Sequence, residues 1–287
     1  MRDTLRLLRV KHSIKNVMIA LPMVFGGLME DWDLVGRLAL CFVAFSLLSS
    51  CIYVLNDLMD LEQDRTHPTK QNRPLASGAV PVGRAKVLGI CLGLMALTVN
   101  FLAVGRNAGA WLCFLLYLGL NLGYSCGLKH VPILDLVILM SGFLLRLLYG
   151  ASALEVEVSN WLYLTVVSAA FYFGMGKRRN ELQRQGNTFR PVLRLYTREF
   201  LDRMGYLFLA LAIVFYSMWS VDPSTLARPN GDKLIWTVPL VMVICMRYSL
   251  LVEGDSDGDP TEVLFGDKPL LGMVTAFAGI CLGILYL

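Results

Sequence analysis

Long apolar stretches recur along this chain, and most of its charge is packed into the short blocks between them. A helix needs about 20 apolar residues to cross the hydrocarbon of a bilayer. Nine stretches reach or approach that length: 14–30, 34–55, 85–104, 108–126, 132–153, 159–176, 200–219, 233–251 and 269–287. A water-soluble core cannot bury nine such segments at once. The expected fold is an all-α integral membrane bundle of nine transmembrane helices. Composition agrees, with 56% apolar and 17% charged residues, against about 25% charged in soluble domains. No internal repeat, low-complexity tract or second domain is visible, so 1–287 reads as a single membrane domain.

Cytoplasmic loops of membrane proteins carry an excess of Lys and Arg. The N-terminus, the 57–86 connection and segments 127–131, 177–203 and 252–268 together hold 20 basic residues, whereas the alternate connections hold four, Arg37, Arg106, Arg228 and Lys233. The expectation is a multi-pass cell-membrane protein with its N-terminus in the cytoplasm and its C-terminus outside. Loops 56–83, 127–131, 177–198 and 252–268 then share the cytoplasmic face. Seven cysteines lie in or beside apolar stretches without CxxC spacing and read as small buried hydrophobes. No small-residue cleavage site follows the basic N-terminus, which argues against a removed signal peptide.

The segment from Asn56 to Pro74 is the most informative about chemistry. On a continuing helix, Asp57, Asp60 and Asp64 fall at about 0°, 300° and 340°. Three carboxylates in so narrow an arc repel one another unless a cation lies among them. Mg2+ takes a few carboxylates and completes its shell with substrate phosphate oxygens. Lys70 and Arg73 follow in a loop bounded by Pro68 and Pro74, suited to holding phosphate, with His67 as a further hydrogen-bonding group. The bland alternative is a solvated charged loop. Against it, Asn56 and Asp57 end an apolar span, and acids and bases are segregated rather than mixed.

Two further groups stand out. On the fifth apolar stretch Asp135, Gly142 and Arg146 fall at about 0°, 340° and 20°, a stripe about 16 Å long. An ionisable residue inside a membrane costs about 2.5–3.5 kcal/mol on insertion scales and is a functional candidate by default; a structural Arg–Asp pair is the plainer alternative. After the sixth stretch, Lys177, Asn180 and Glu181 share a face, and Glu181 can pair with Lys177 at i,i+4. Arg184, Arg190, Arg194 and Arg198 read as topology-setting charge. The acidic 253–267 loop, with Glu253, Asp255, Asp257, Asp259, Glu262 and Asp267, invites a calcium reading. A calcium loop needs Gly at its sixth position and Glu at its twelfth, and counting from Asp255 these are Pro260 and Gly266. Calcium is excluded; a lid or plain solvation stays open. His12 and His130 read as interface residues.

The run Asn56-Asp57…Asp60…Asp64 resembles the first aspartate-rich motif, NDxxDxxxD, of the UbiA-type prenyltransferase superfamily. Those are nine-helix membrane enzymes in which such aspartates bind a diphosphate through Mg2+. The extended form NDxxDxxxDRxHPxKxxRPxAxG, read here through Ala76 and Gly78, is similar to the polyprenyl-phosphate phosphoribosyltransferase branch. So are Tyr124–Lys129 followed by Asp135, Gly142, Phe143 and Arg146, the run Gly176–Leu182, and the late Arg247, Tyr248, Gly258, Asp259, Pro260 and Glu262. Aromatic-prenylating members usually carry a second DxxxD cluster near the sixth helix. Here Asp135 stands alone between Lys129 and Arg146, and the segment after the sixth stretch is basic.

The resemblance implies a UbiA-like bundle and a Mg2+-dependent transferase. Its donor would be 5-phosphoribosyl diphosphate (PRPP) and its acceptor a polyprenyl phosphate of decaprenyl-phosphate type, with pyrophosphate released and C1 inverted. In that reading Asp57, Asp60 and Asp64 hold the metal and are catalytic together with Lys129. Asn56, His67, Lys70, Arg73, Asp135, Arg146, Lys177, Arg178 and Glu181 bind substrates, with Lys177 and Arg178 at the ribose 5-phosphate. The partners expected are PRPP, the polyprenyl lipid and the membrane, with no nucleic acid; a homo-oligomeric state stays open. The runner-up is a UbiA-type prenyltransferase moving a prenyl group from prenyl diphosphate to an aromatic or lipid acceptor. A transporter would place charges in paired mid-membrane helix breaks, whereas these cluster at one surface.

Overall fold

A computed structural model describes residues 2–67, 70–185, 191–254, 256 and 258–287; Pro68, Thr69, Arg190, Asp255 and Asp257, on which part of the reading above falls, lie outside them. Every regular element among the described residues is helical. Seven helices there are long and apolar enough to cross a membrane: Trp32–Met59, Val82–Val104, Ala108–Ser125, Leu134–Leu154, Arg198–Ser220, Gly231–Glu253 and Lys268–Tyr286. The all-α membrane bundle stands, with two of the nine expected spans taking another form. The 14–30 stretch folds as a 3-10 helix, Val10–Ala20, followed by a short α-helix, Leu21–Gly26. Pro22 sits at that joint, where its missing N–H and its ring prevent one continuous α-helix. The 159–176 stretch falls, but for its first residue, on Asn160–Gln185, a 26-residue helix whose length is sufficient but whose polar residues dilute its apolar character.

Local signals set the helix ends. Asp31 accepts from the backbone N–H groups of Asp33 and Leu34 at 3.0 and 3.1 Å, satisfying donors that a helix start leaves open. Asn107 accepts from Ala110 N–H at 2.9 Å, and Asp267 from Leu270 N–H at 2.8 Å. Trp32–Met59 has 28 residues, so it runs for about 42 Å, well beyond the roughly 30 Å of hydrocarbon. Its surplus length brings Asn56 and Asp57 to the end of the span.

Contacts divide the chain into two compact units. The first comprises Met1–Met23, Leu28–Lys129 and Leu145–Val156; the second comprises Val24–Gly27, His130–Leu144 and Glu157–Leu287. In the first, Trp32–Met59 packs along Val82–Val104, with Cys51 Sγ donating to Gly89 O at 3.3 Å. Close helix approach through small residues is how apolar helices associate in lipid, where burying hydrocarbon gains nothing. Phe45, Phe114, Tyr117 and Tyr149 fill the core of this unit, the rings of Phe45 and Tyr117 being 4.7 Å apart. Beneath them Gly150 lets another backbone in, since a Cβ there would stand 2.1 Å from Ile19 O. The opposite face of Val82–Val104 exposes Val87, Ile90, Leu94 and Leu102, an apolar surface suited to lipid rather than water.

In the second unit Asn160–Gln185 packs along Arg198–Ser220, with Phe171 and Phe208 stacked at 4.7 Å. One buried cluster gathers Leu136, Met175, Val192, Leu193, Tyr196 and Leu201. Another gathers Tyr172, Tyr248, Val252, Val263 and Leu270.

Candidate active site

In the first unit the chain turns at Asp60, which ends Trp32–Met59 at φ −92°, ψ 8° and precedes the short helix Leu61–Thr66. The continuous helix assumed in projecting the three aspartates is therefore broken in their midst. Asp57 and Asp64 nevertheless come together. Arg73 Nη1 donates to Asp57 Oδ1 at 3.1 Å and to Asp64 Oδ2 at 2.6 Å. Arg9 Nη2 donates to the same Asp57 Oδ1 at 2.6 Å, while its guanidinium lies 4.8 Å above the Tyr53 ring. Asp57 and Asp64 are only 2% and 3% exposed. The turn leads Asp60 elsewhere, and Lys129 Nζ donates to its Oδ1 at 2.6 Å.

The surrounding residues fix this arrangement. Ser125 Oγ donates to Asn56 Oδ1, tying the end of Ala108–Ser125 to the last turn of Trp32–Met59. Ser50 Oγ donates to Leu8 O at 3.0 Å, which anchors the Arg2–Leu8 helix and so places Arg9. His67 is buried, and its Nδ1 accepts from Lys70 N–H at 3.4 Å. The short 3-10 turn Lys70–Asn72 then delivers Arg73 to the carboxylates.

Mg2+ fits these side chains as a shared guest. Among the described residues no three His, Cys, Asp or Glu side chains gather into a cage able to hold an ion by themselves. Two buried carboxylates do converge on one cationic nitrogen of Arg73, which marks a point where positive charge is stabilised. An ion that takes few protein ligands and draws the rest of its shell from phosphate and water suits such a pair.

Arg146 is buried in the same unit. Its Nε donates to Asn16 Oδ1 and its Nη2 to Tyr117 OH, both at 2.7 Å, and its guanidinium lies 4.7 Å over the Tyr117 ring. These contacts spread a buried charge over amide, hydroxyl and ring, and they tie Val10–Ala20 to the core.

The second unit holds another buried ionic cluster. Arg178 Nε donates to Asp135 Oδ2 at 2.7 Å and its Nη1 to Glu181 Oε2 at 2.6 Å. Arg178 and Asp135 are both wholly buried. Tyr196 OH donates to Asp135 Oδ1 and accepts from Ile133 N–H, each at 2.6 Å. Burial, and then that bond to Asp135, push the Tyr196 phenol well above its ordinary range, so it stays a neutral donor. Lys177 is different: its Nζ is 3.7 Å from Asp259 Oδ2 and its side chain is 33% exposed.

The acidic loop is docked rather than merely solvated where it is described. Gly258 has φ +69°, and a Cβ there would stand 2.9 Å from Lys177 Cα. Asn180 Nδ2 donates to Ser256 Oγ at 2.9 Å. Asp259 caps the Pro260–Gly266 helix by accepting from Thr261 N–H at 3.0 Å.

Asp57 and Asp64 thus meet through Arg73, across a turn that the helical projection did not include, and Asp60 is paired with Lys129. Asp135 and Arg146, placed on one stripe by periodicity, take separate sets of partners. Arg9 was assigned only to topology by its sequence, and Tyr196 carried no signal. Asp259 belongs to both the late motif and the acidic loop, neither of which assigned it a role.

The UbiA prenyltransferase family profile matches residues 17–266. The decaprenyl-phosphate phosphoribosyltransferase of Corynebacterium glutamicum is 33% identical over 280 residues, covering 95% of this chain and 83% of that protein. The enzyme of the same name from Mycolicibacterium smegmatis is 31% identical over 288 residues, covering 96% and 90%. A UbiA homolog from Archaeoglobus fulgidus, solved bound to GPP and Mg2+, superposes with a TM-score of 0.71 at 18% identity, over 99% of this chain and 100% of that one. At that identity the likeness speaks for the fold.

Proposed function

The chain belongs to the UbiA prenyltransferase family, and from that premise we propose that it is a membrane enzyme transferring 5-phosphoribosyl from PRPP to a polyprenyl phosphate. The observation that carries the reading is the convergence of Asp57 and Asp64 on a single cationic nitrogen, in a chain whose near-full-length relatives are named for this reaction. A bound Mg2+ would neutralise the diphosphate where negative charge develops as it leaves.

The chain's own groups supply the rest. Asp57, Asp64 and Asp60 would hold the metal on the diphosphate, with Asn56 fixing their turn. Arg73, Lys70 and His67 face phosphate oxygens. As the C1–O bond breaks, its electron pair leaves with pyrophosphate, and ribose passes through an oxocarbenium-like state, as in other glycosyl transfers. An oxygen of the acceptor phosphate forms the new bond on the opposite face and inverts C1. That oxygen is already anionic and needs no general base; Lys129 guides it. Lys177 takes the ribose 5-phosphate, as the more accessible member of its pair with Asp259. The prenyl tail lies along lipid-facing apolar surface. The excess of basic residues on one set of loops supports a cytoplasmic active face and a cytoplasmic N-terminus.

Incubating purified protein with labelled PRPP or with labelled prenyl diphosphate, each with Mg2+ and polyprenyl phosphate, tests the reading. Pyrophosphate release from PRPP alone is expected, and release from prenyl diphosphate alone would replace the proposal with prenyl transfer. Asp60→Asn should stay folded in detergent and lose nearly all turnover.

A further inference from the structure

We propose that Arg9, Arg73 and Lys129 are internal counter-ions which a metal-bound diphosphate must displace, and that Arg9 passes from Asp57 to the phosphate oxygens as it does so. The proposal rests on the metal–diphosphate reading of the site and deepens it. Each carboxylate of the motif already carries a cation at 2.6 Å: Arg9 on Asp57, Arg73 on Asp64 and Lys129 on Asp60. Each of the three acids is thus matched by a base before any ligand arrives.

A divalent ion entering alone must therefore evict a guanidinium from a nearly buried carboxylate and then lie beside it. Charges at such separations repel strongly wherever water is scarce. A diphosphate arriving with the ion removes this obstacle, because its oxygens receive the evicted guanidinium and leave Lys129 free for the acceptor. Metal and diphosphate should consequently bind synergistically, with the metal weak by itself. This protects the site against occupation by a lone ion.

Arg9 is the best placed of the three to move. Arg73 is shared between two carboxylates, whereas Arg9 has Asp57 and the face of Tyr53. Its backbone stands at φ 49°, ψ 45°, on the corner between Arg2–Leu8 and Val10–Ala20. A non-glycine residue stays in that left-handed region only where contacts hold it. The contacts holding it here include the pair that the ligand would take over.

Mn2+, a paramagnetic stand-in for Mg2+, gives the test. Its binding to detergent-purified protein without diphosphate is measured by EPR, and KM for PRPP is measured in parallel. In Arg9→Gln, affinity for Mn2+ alone should rise on the order of tenfold as a competing cation is lost. KM for PRPP should rise on the order of tenfold as a charged hydrogen bond to phosphate is lost. These shifts oppose each other, which a merely structural role for Arg9 would not produce. Arg9→Lys should return both values toward wild type. Unchanged or weaker Mn2+ binding in Arg9→Gln overturns the proposal. If that variant does not fold, Arg73→Gln, which relieves the same Asp57 oxygen, must bind Mn2+ more tightly, and failure there overturns it as well. An inert wild type toward PRPP would defeat the functional reading alone, since the Mn2+ measurement does not depend on the donor.

Discussion

Replacing Arg178 by Met separates a structural cation from a substrate-binding one. Arg178 is 0% exposed and bridges Asp135 and Glu181 at 2.7 and 2.6 Å. Met keeps much of its volume but strands the buried Asp135 carboxylate against the Tyr196 hydroxyl. Breaking one side of a buried pair costs about 3–5 kcal/mol, chiefly because the other charge is stranded. At about 2–4 °C per kcal/mol for a chain somewhat smaller than this one, the melting point should fall by roughly 10 °C. The double variant Asp135→Leu/Arg178→Met removes both charges and should regain more than half of that loss, since apolar replacement of a whole buried pair is often close to neutral. Thermal unfolding of the purified variants in one detergent reads both effects. A single variant melting within about 2 °C of wild type, well under the expected fall, would refute the argument. If its KM for PRPP rose as well, Arg178 would be a phosphate ligand as the sequence suggests.

Three further outcomes are expected. Lys177→Ala should raise KM for PRPP roughly tenfold with little change in melting point, because this partly exposed lysine stands 3.7 Å from Asp259; an unchanged KM would remove it from the donor site. The hydrogen bonds from Arg247, and then from Leu270 N–H, hold the Asp267 carboxyl below its ordinary range, so its stabilisation is present above the unfolded-state pKa and lost as pH falls through the folded one. Asp267→Asn should therefore melt below wild type at neutral pH and converge with it in acid, and a gap constant across pH would contradict this. Gly150→Ala forces a Cβ to 2.1 Å from the Ile19 carbonyl oxygen and should cost about 1–3 kcal/mol or more. Gly83→Ala, with nothing within 4 Å of the new methyl, should melt like wild type.

What the sequence made legible was whatever depends on neighbours along the chain. The apolar stretches give the bundle because span length is a local property. Asn56, Asp57 and Asp64 lie within nine residues of one another, so the acidic cluster is visible although the helix breaks at Asp60. Arg73 follows closely enough that a short turn returns it. A 3-10 start at Val10–Ala20 is not legible in this way, since apolar spacing there suits an α-helix until Pro22 is weighed.

Pairings across long separations were closed to this kind of reasoning, and Asp135 shows why. Periodicity places Asp135 and Arg146 on one side of Leu134–Leu154, yet it cannot say what each meets. Asp135 meets Arg178, 43 residues away; Arg146 meets Asn16, 130 residues away. Each is satisfied within its own unit, so a shared stripe on a helix is not evidence of a shared ligand. The same reasoning recovers Arg9. A basic N-terminus is accounted for by topology alone, which removes any reason to assign its members individually, and only the 2.6 Å approach to Asp57, 48 residues on, distinguishes one arginine from the rest. Where charge has a sufficient bulk explanation, as it does in the loops of a membrane protein, the functional members can be separated from the topological ones only by the buried carboxylates they reach.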